Sequence, residues 1–128
     1  MLTVQGVSKS YAKGRVKAVD NLSLAVKRGE IFGFIGPNGA GKTTTIKIIC
    51  GIINADAGTV SINGHDIERE PIEAKRSLGF VPDAANVYER LTGLEYLNFL
   101  SDIYGVDAKT RAERMEKYLT MFEIKDAA

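Results

Sequence analysis

Nine consecutive residues, Gly36, Pro37, Asn38, Gly39, Ala40, Gly41, Lys42, Thr43 and Thr44, concentrate the chemistry of this sequence. They fit the pattern G-x-x-x-x-G-K-[ST] without departure, the form of a loop that surrounds phosphate oxygens. Such a loop must turn several backbone N–H groups inward at once. Glycines at 36, 39 and 41 allow backbone angles and approaches that a β-carbon would block. Lys42 offers a mobile point charge to β- and γ-phosphates. Thr43 offers a hydroxyl to Mg²⁺, and Thr44 one to the α-phosphate. A helix opening at Lys42 adds unpaired amides and the positive end of its dipole. Thr43-Thr-Thr-Ile is a poor helix start by propensity, so phosphate chemistry explains it better than helix stability does.

The pattern requires a strand before it and a helix after it. Ile31-Phe-Gly-Phe-Ile35 is a nearly continuous apolar run. It predicts a strand buried on both faces, as in a parallel sheet covered by helices. A helix is expected over residues 42–50, with Gly51 as its stop. Residues 2–7 and 16–26 alternate as strands, with Leu22, Leu24 and Val26 on one face and residues 11–15 as a loop. Residues 58–62 read as a strand ending at Asn63-Gly64, a strong turn signal. Residues 71–77 suggest a short helix, and residues 79–81 another buried strand stopped by Pro82. The last third is helical. Thr92 and Glu95 have capping-box spacing, with the helix ending near Gly105. Asp107 can cap a second helix, where Ala112, Met115, Leu119 and Phe122 form an apolar stripe. Strands alternating with helices after residue 30 argue for an α/β architecture.

The 128 residues fit one small globular domain, with 45% hydrophobic and 26% charged side chains. Seventeen basic against 16 acidic residues leave a net charge of +1, no excess to neutralise a nucleic-acid backbone. No nucleic-acid partner is expected. The single Cys50 excludes an internal disulfide and suits a reducing compartment. No apolar run approaches the roughly 18–20 residues that span a bilayer. The N-terminal residues lack the basic and apolar regions of a signal peptide. A cytoplasmic location is expected.

The flanks of the loop resemble the ATPase domains of ABC transporters over essentially the whole chain. Val7-Ser-Lys-Ser-Tyr11 resembles the aromatic "A-loop" of that family, and Val19-Asp-Asn-Leu-Ser-Leu24 the strand before its P-loop. Asp56-Ala-Gly-Thr-Val60 and Ile62-Asn-Gly64 match the usual strand and turn. Leu78-Gly-Phe-Val-Pro82 matches the strand leading into the "Q-loop", and Tyr88-Glu-Arg-Leu-Thr-Gly-Leu-Glu95 is most similar to exporter-type subunits. The resemblance implies a partial P-loop NTPase core with an N-terminal antiparallel β portion over residues 1–90. The start of a helical subdomain would follow over residues 91–128.

By the same resemblance the ligand is ATP with Mg²⁺. Tyr11 stacks on adenine and Val16 packs against the nucleotide. Asp83 stands where the family most often has glutamine; its oxygen could ligate Mg²⁺ beside Thr43, or it could be a turn residue after proline. The partners implied are a transmembrane transporter subunit and a second ATPase domain that sandwiches the nucleotide. The chain would then sit on the cytoplasmic face of the membrane. The apolar helix around residues 94–100, with Tyr88 and Tyr96, either faces the membrane subunit or packs within the helical subdomain. The signature motif, the Walker B strand with its catalytic glutamate, and the switch histidine do not occur here. These 128 residues alone are therefore expected to lack turnover. Two other readings stay open: a soluble ABC-family ATPase acting in translation or DNA repair, and a standalone nucleotide-binding module. His65, Cys50, Arg69, Lys75 and Arg76 read as solvated or packing residues.

Overall fold

The alternating segments at the N-terminus form an antiparallel hairpin, β1 (Leu2–Tyr11) and β2 (Val16–Val26). Tyr11, expected in the loop, closes β1. The structure, a computed structural model, describes residues 1–82 and 90–127, in two units, 1–80 and 81–128. In the first unit, β3 (Ala57–Ile62) lies antiparallel to the other edge of β1 and turns into the two-residue β4 (His65–Asp66). The turn is Asn63-Gly64, with φ of 52° and 90°, the two positive values that a type I′ hairpin turn requires. The sheet order is β2-β1-β3-β4.

One face of this sheet carries Val4, Val7, Val19, Val60 and Ile62. They pack with Ile67, with Ile48 of α1 (Lys42–Ile49) and with Ala74 of α2 (Pro71–Arg76). Leu22 and Leu24 join the edge of this core, as the alternation predicts. Each large apolar side chain so buried stabilises the unit by about 1.5–3 kcal/mol. Helix α1 stops at Gly51, whose φ of 60° is the left-handed conformation of a C-terminal cap. The Gly51 N–H donates to the Ile48 carbonyl and the Ile52 N–H to the Lys47 carbonyl, both at 2.9 Å. Lys75 is more than a solvated residue, since its ammonium donates to the Gly51 carbonyl at 3.1 Å.

The two predicted buried strands do not form. Residues 31–35 and 79–81 have no strand assignment, and Ile31, Ile35 and Val81 are at least nine-tenths exposed. A strand exists only where a neighbour accepts its hydrogen bonds, and the described sheet places none beside either run. Phe32 and Phe34 still lean toward Leu24, Val26, Ile46 and Ile49 around a gap of about 70 Å³. Apolar runs without strand partners template association. We predict that these 128 residues expressed alone self-associate in sedimentation equilibrium and melt without a sharp transition. A clean monomer with a cooperative melt would overturn this.

In the second unit, α3 (Gly93–Ile103) and α4 (Ala108–Met121) are followed by a 3₁₀ turn at Lys125–Ala127. The capping box is present: Thr92 Oγ1 accepts from the Glu95 N–H at 3.2 Å, and Glu95 Oε2 accepts from the Thr92 N–H at 2.8 Å. Asp107 accepts from the Thr110 N–H at 2.9 Å. These backbone donors hold both carboxyl groups below their ordinary pKa. Arg111 of α4 donates to Asn98 at 3.1 Å and also to Asp102, tying the two helices together. Of the predicted stripe on α4 only Leu119 is buried, and α3 has no fully buried residue.

Candidate functional site

The predicted phosphate loop joins the exposed run at residues 31–35 to α1, and its conformation rests on two left-handed glycines. Gly39 and Gly41 have φ of 82° and 83°. Around Gly39 there is open space, so only its backbone angle calls for glycine. Gly41 is constrained twice: a β-carbon there would overlap the carbonyl oxygen of Ala18 on β2. That approach seats the start of α1 against β2 near the turn end of the hairpin. Sequence reading assigned Gly41 to the loop but could not see this contact, because Ala18 lies 23 positions away.

Lys42 bends back over the loop. Its ammonium donates to the carbonyl of Pro37 at 2.7 Å and also to that of Gly36, leaving one N–H for a ligand. The first bond of α1 runs from the Thr45 N–H to the Gly41 carbonyl at 2.8 Å. The amides of Gly41, Lys42, Thr43 and Thr44 precede it and find no acceptor among the described residues. Thr45, which the sequence reading did not single out, is buried, and its hydroxyl donates to the Gly41 carbonyl at 2.9 Å. The Thr43 and Thr44 hydroxyls make no such bond among the described residues, and Thr43 is exposed.

Tyr11 and Val16 face each other directly as the last pair of the β1–β2 ladder, both exposed. Ala18, where Gly41 docks, is two residues along β2 from Val16, a span of roughly 7 Å. The fold thus brings Tyr11, Val16 and the loop to one end of the sheet. Asp83 and Tyr88 lie outside the described residues. His65 belongs to β4 and contacts Glu70 at 3.1 Å on the surface. Cys50 is buried, and burial pushes its thiol pKa up, as expected of a packing residue.

A second anchor of this end escaped the sequence reading. The Asp56 carboxylate accepts from the Lys9 ammonium at 2.6 Å and the Ser10 N–H at 2.7 Å. The only local signal was an aspartate at the mouth of a strand that opens on Ala57-Gly58.

A glycine-rich turn closed by a lysine, with four amides at a helix start that find no acceptor among the described residues, defines a P-loop core of the α/β class. The family model described as ABC transporter matches residues 19–128, and the chain belongs to that family. The linearmycin resistance ATP-binding protein LnrL of Bacillus subtilis is 38% identical over 126 residues, covering 96% of this chain and 40% of that protein. The doxorubicin resistance ATP-binding protein DrrA of Mycobacterium tuberculosis is 35% identical, covering 98% and 38%. Among solved structures, the ATP-binding subunit of an ABC transporter matches with a TM-score of 0.92 at 31% identity, covering 99% of this chain and 52% of that one. A dimeric ATP-binding cassette in a post-hydrolysis state, bound to ADP and Pi, matches with a TM-score of 0.81 at 28% identity, covering 96% and 57%. The expected partial P-loop fold is borne out by these likenesses. The chain spans about two fifths of the curated relatives it matches. No helix among the described residues is long and apolar enough to cross a membrane.

Proposed function

We propose that this chain is the ATP-Mg²⁺-binding segment of an ABC transporter ATPase, and that the full-length protein couples ATP hydrolysis to transport across a membrane. The observation that carries the reading is the cradle: the amides of residues 41–44, which find no acceptor among the described residues, together with a Lys42 ammonium that has one N–H to spare. These groups fit a triphosphate, which offers many acceptors and no donors. The family model and the relatives' names as ATP-binding proteins support the transporter reading, and the ADP- and Pi-bound cassette supports the ligand.

Gly36, Pro37, Asn38, Gly39, Ala40 and Gly41 shape the loop around the phosphates. Lys42 balances the charge of the β- and γ-phosphates, and Thr44 reaches the α-phosphate. Tyr11 supplies a flat face for adenine, with Val16 beside it. Thr43 and Asp83 would hold Mg²⁺, which would neutralise phosphate charge there. A transmembrane subunit and a second ATPase domain complete the assembly at the cytoplasmic face of the membrane. Residues 91–128 form the start of the helical subdomain. Copurification with an integral membrane subunit tests the transport reading; a full-length protein that isolates without one would sink it.

The adenine platform is tested separately. Tyr11→Ala should weaken ATP binding by about 1–3 kcal/mol while leaving the melting temperature in place. If a triphosphate without adenine loses as much affinity as ATP, the stacking role is wrong. Asp83→Ala should raise the Mg²⁺ concentration needed for activity more than it alters metal-free nucleotide binding. An unchanged Mg²⁺ requirement returns Asp83 to the turn residues.

A further inference from the structure

Strand β1 outruns its neighbour β3. Their pairing ends at Ser8 opposite Ala57, whereas β1 continues through Lys9 and Ser10 to Tyr11 with β2 alone beside it. The hairpin end that bears Tyr11 is therefore a two-stranded ribbon. Such ribbons are marginal by themselves. This one is also irregular, with register breaks between Val7 and Lys9 and between Lys9 and Ser10. Bulges of this kind bend a strand and re-aim its side chains.

Asp56 fills the place where β3 is missing. Its N–H donates to the Ser8 carbonyl at 2.9 Å. Its Oδ2 accepts from the Ser10 N–H at 2.7 Å, the bond a continuing strand would have supplied. Its Oδ1 takes the Lys9 ammonium at 2.6 Å. The Lys9 bond and then the Ser10 N–H hold the carboxyl below its ordinary pKa. Gly58 presses the same segment onto β1: its φ is 88°, and a β-carbon would stand 2.5 Å from the Gln5 carbonyl oxygen. Asp56 thus reaches Ser10 from a fixed base.

We propose that Asp56 is a positioning residue for nucleotide binding, which fixes the Ser10 backbone and through it the pose in which Tyr11 receives adenine. The inference rests on the reading of Tyr11 as the base platform. The exposed ion pair to Lys9 contributes little to stability by itself. The effect arises from order. A loosened ribbon that holds Tyr11 in its binding pose for about a tenth to a third of the time raises the apparent Kd about threefold to tenfold.

The test is equilibrium binding of ATP-Mg²⁺ and of inorganic tripolyphosphate-Mg²⁺ to the full-length protein. Wild type is compared with Asp56→Ala, Asp56→Asn, Tyr11→Ala and the Tyr11→Ala/Asp56→Ala double variant. Asp56→Ala should weaken ATP about threefold to tenfold and leave tripolyphosphate unchanged. Asp56→Asn keeps an acceptor for Ser10 and should lose less. The double variant should bind ATP no worse than Tyr11→Ala, because both changes act on one contact. Equal losses for the two ligands, or additive losses in the double variant, would overturn the proposal and make Asp56 a purely structural residue. If Tyr11→Ala leaves the advantage of ATP over tripolyphosphate intact, the platform reading fails and this proposal falls with it. If Tyr11→Ala removes that advantage and Asp56→Ala does not, the platform stands and only Asp56 is refuted. Should Asp56→Ala fail to fold, the same comparison made with Asp56→Asn decides.

Discussion

Replacing Lys42 by alanine in the full-length protein should lower steady-state phosphate release by at least about a hundredfold, the scale of losing one preorganised charge at a phosphoryl centre. Two consequences of one side chain combine here. The ammonium is the positive charge within the loop, and it also ties the Gly36 and Pro37 carbonyls together. Alanine removes the charge and the tie. Lys42→Arg should not restore turnover, since a planar guanidinium cannot take the place of a compact ammonium between those two carbonyls. The melting temperature should fall only slightly, because the lost bonds lie at the surface of the loop and outside the core. Unchanged turnover in Lys42→Ala would remove the loop from the mechanism.

Gly41→Ala should be the most damaging glycine substitution in the loop, and Gly39→Ala is its internal control. The two glycines share the same backbone angle, so each alanine pays about 1–2 kcal/mol for the left-handed conformation. Only at position 41 does the new methyl collide with backbone, the Ala18 carbonyl, in a strand held on its other edge by β1. The start of α1 must then withdraw from β2, parting the cradle from Tyr11 and Val16. ATP affinity in Gly41→Ala should fall at least tenfold below that of Gly39→Ala, a difference of about 1.4 kcal/mol or more. Thermal melts and equilibrium binding of both variants measure it. Equal effects at the two positions would show that the contact with Ala18 does not position the cradle.

The features legible in the sequence are those whose physics is complete within a few residues. The left-handed angles at Gly39 and Gly41, the Asn63-Gly64 turn, the Gly51 stop and the Thr92–Glu95 box are each set by the backbone angles or capping bonds of a few adjacent residues, so residue type and spacing determine them. The alternation in β2 likewise placed Leu22 and Leu24 on the core side.

Tertiary structure decided the rest, because it depends on groups far apart in the chain. Residues 31–35 have the composition of a buried strand, yet a strand needs a hydrogen-bonding neighbour, and apolar content cannot supply one. Lys75 is exposed, as its sequence suggests, and only the fold brings the helix end at Gly51 within reach of its ammonium. Asp56 stands in the sequence only as the residue that opens a strand segment; its hold on Ser10 exists only because β3 stops short of the end of β1. The sequence by itself determined that a P-loop is present and what it is made of. Where that loop sits relative to Tyr11 was decided by the contact of Gly41 with Ala18 and by the register of β1 between its two neighbours. Close approach and register are collective properties of paired strands, and no local run of residues encodes them.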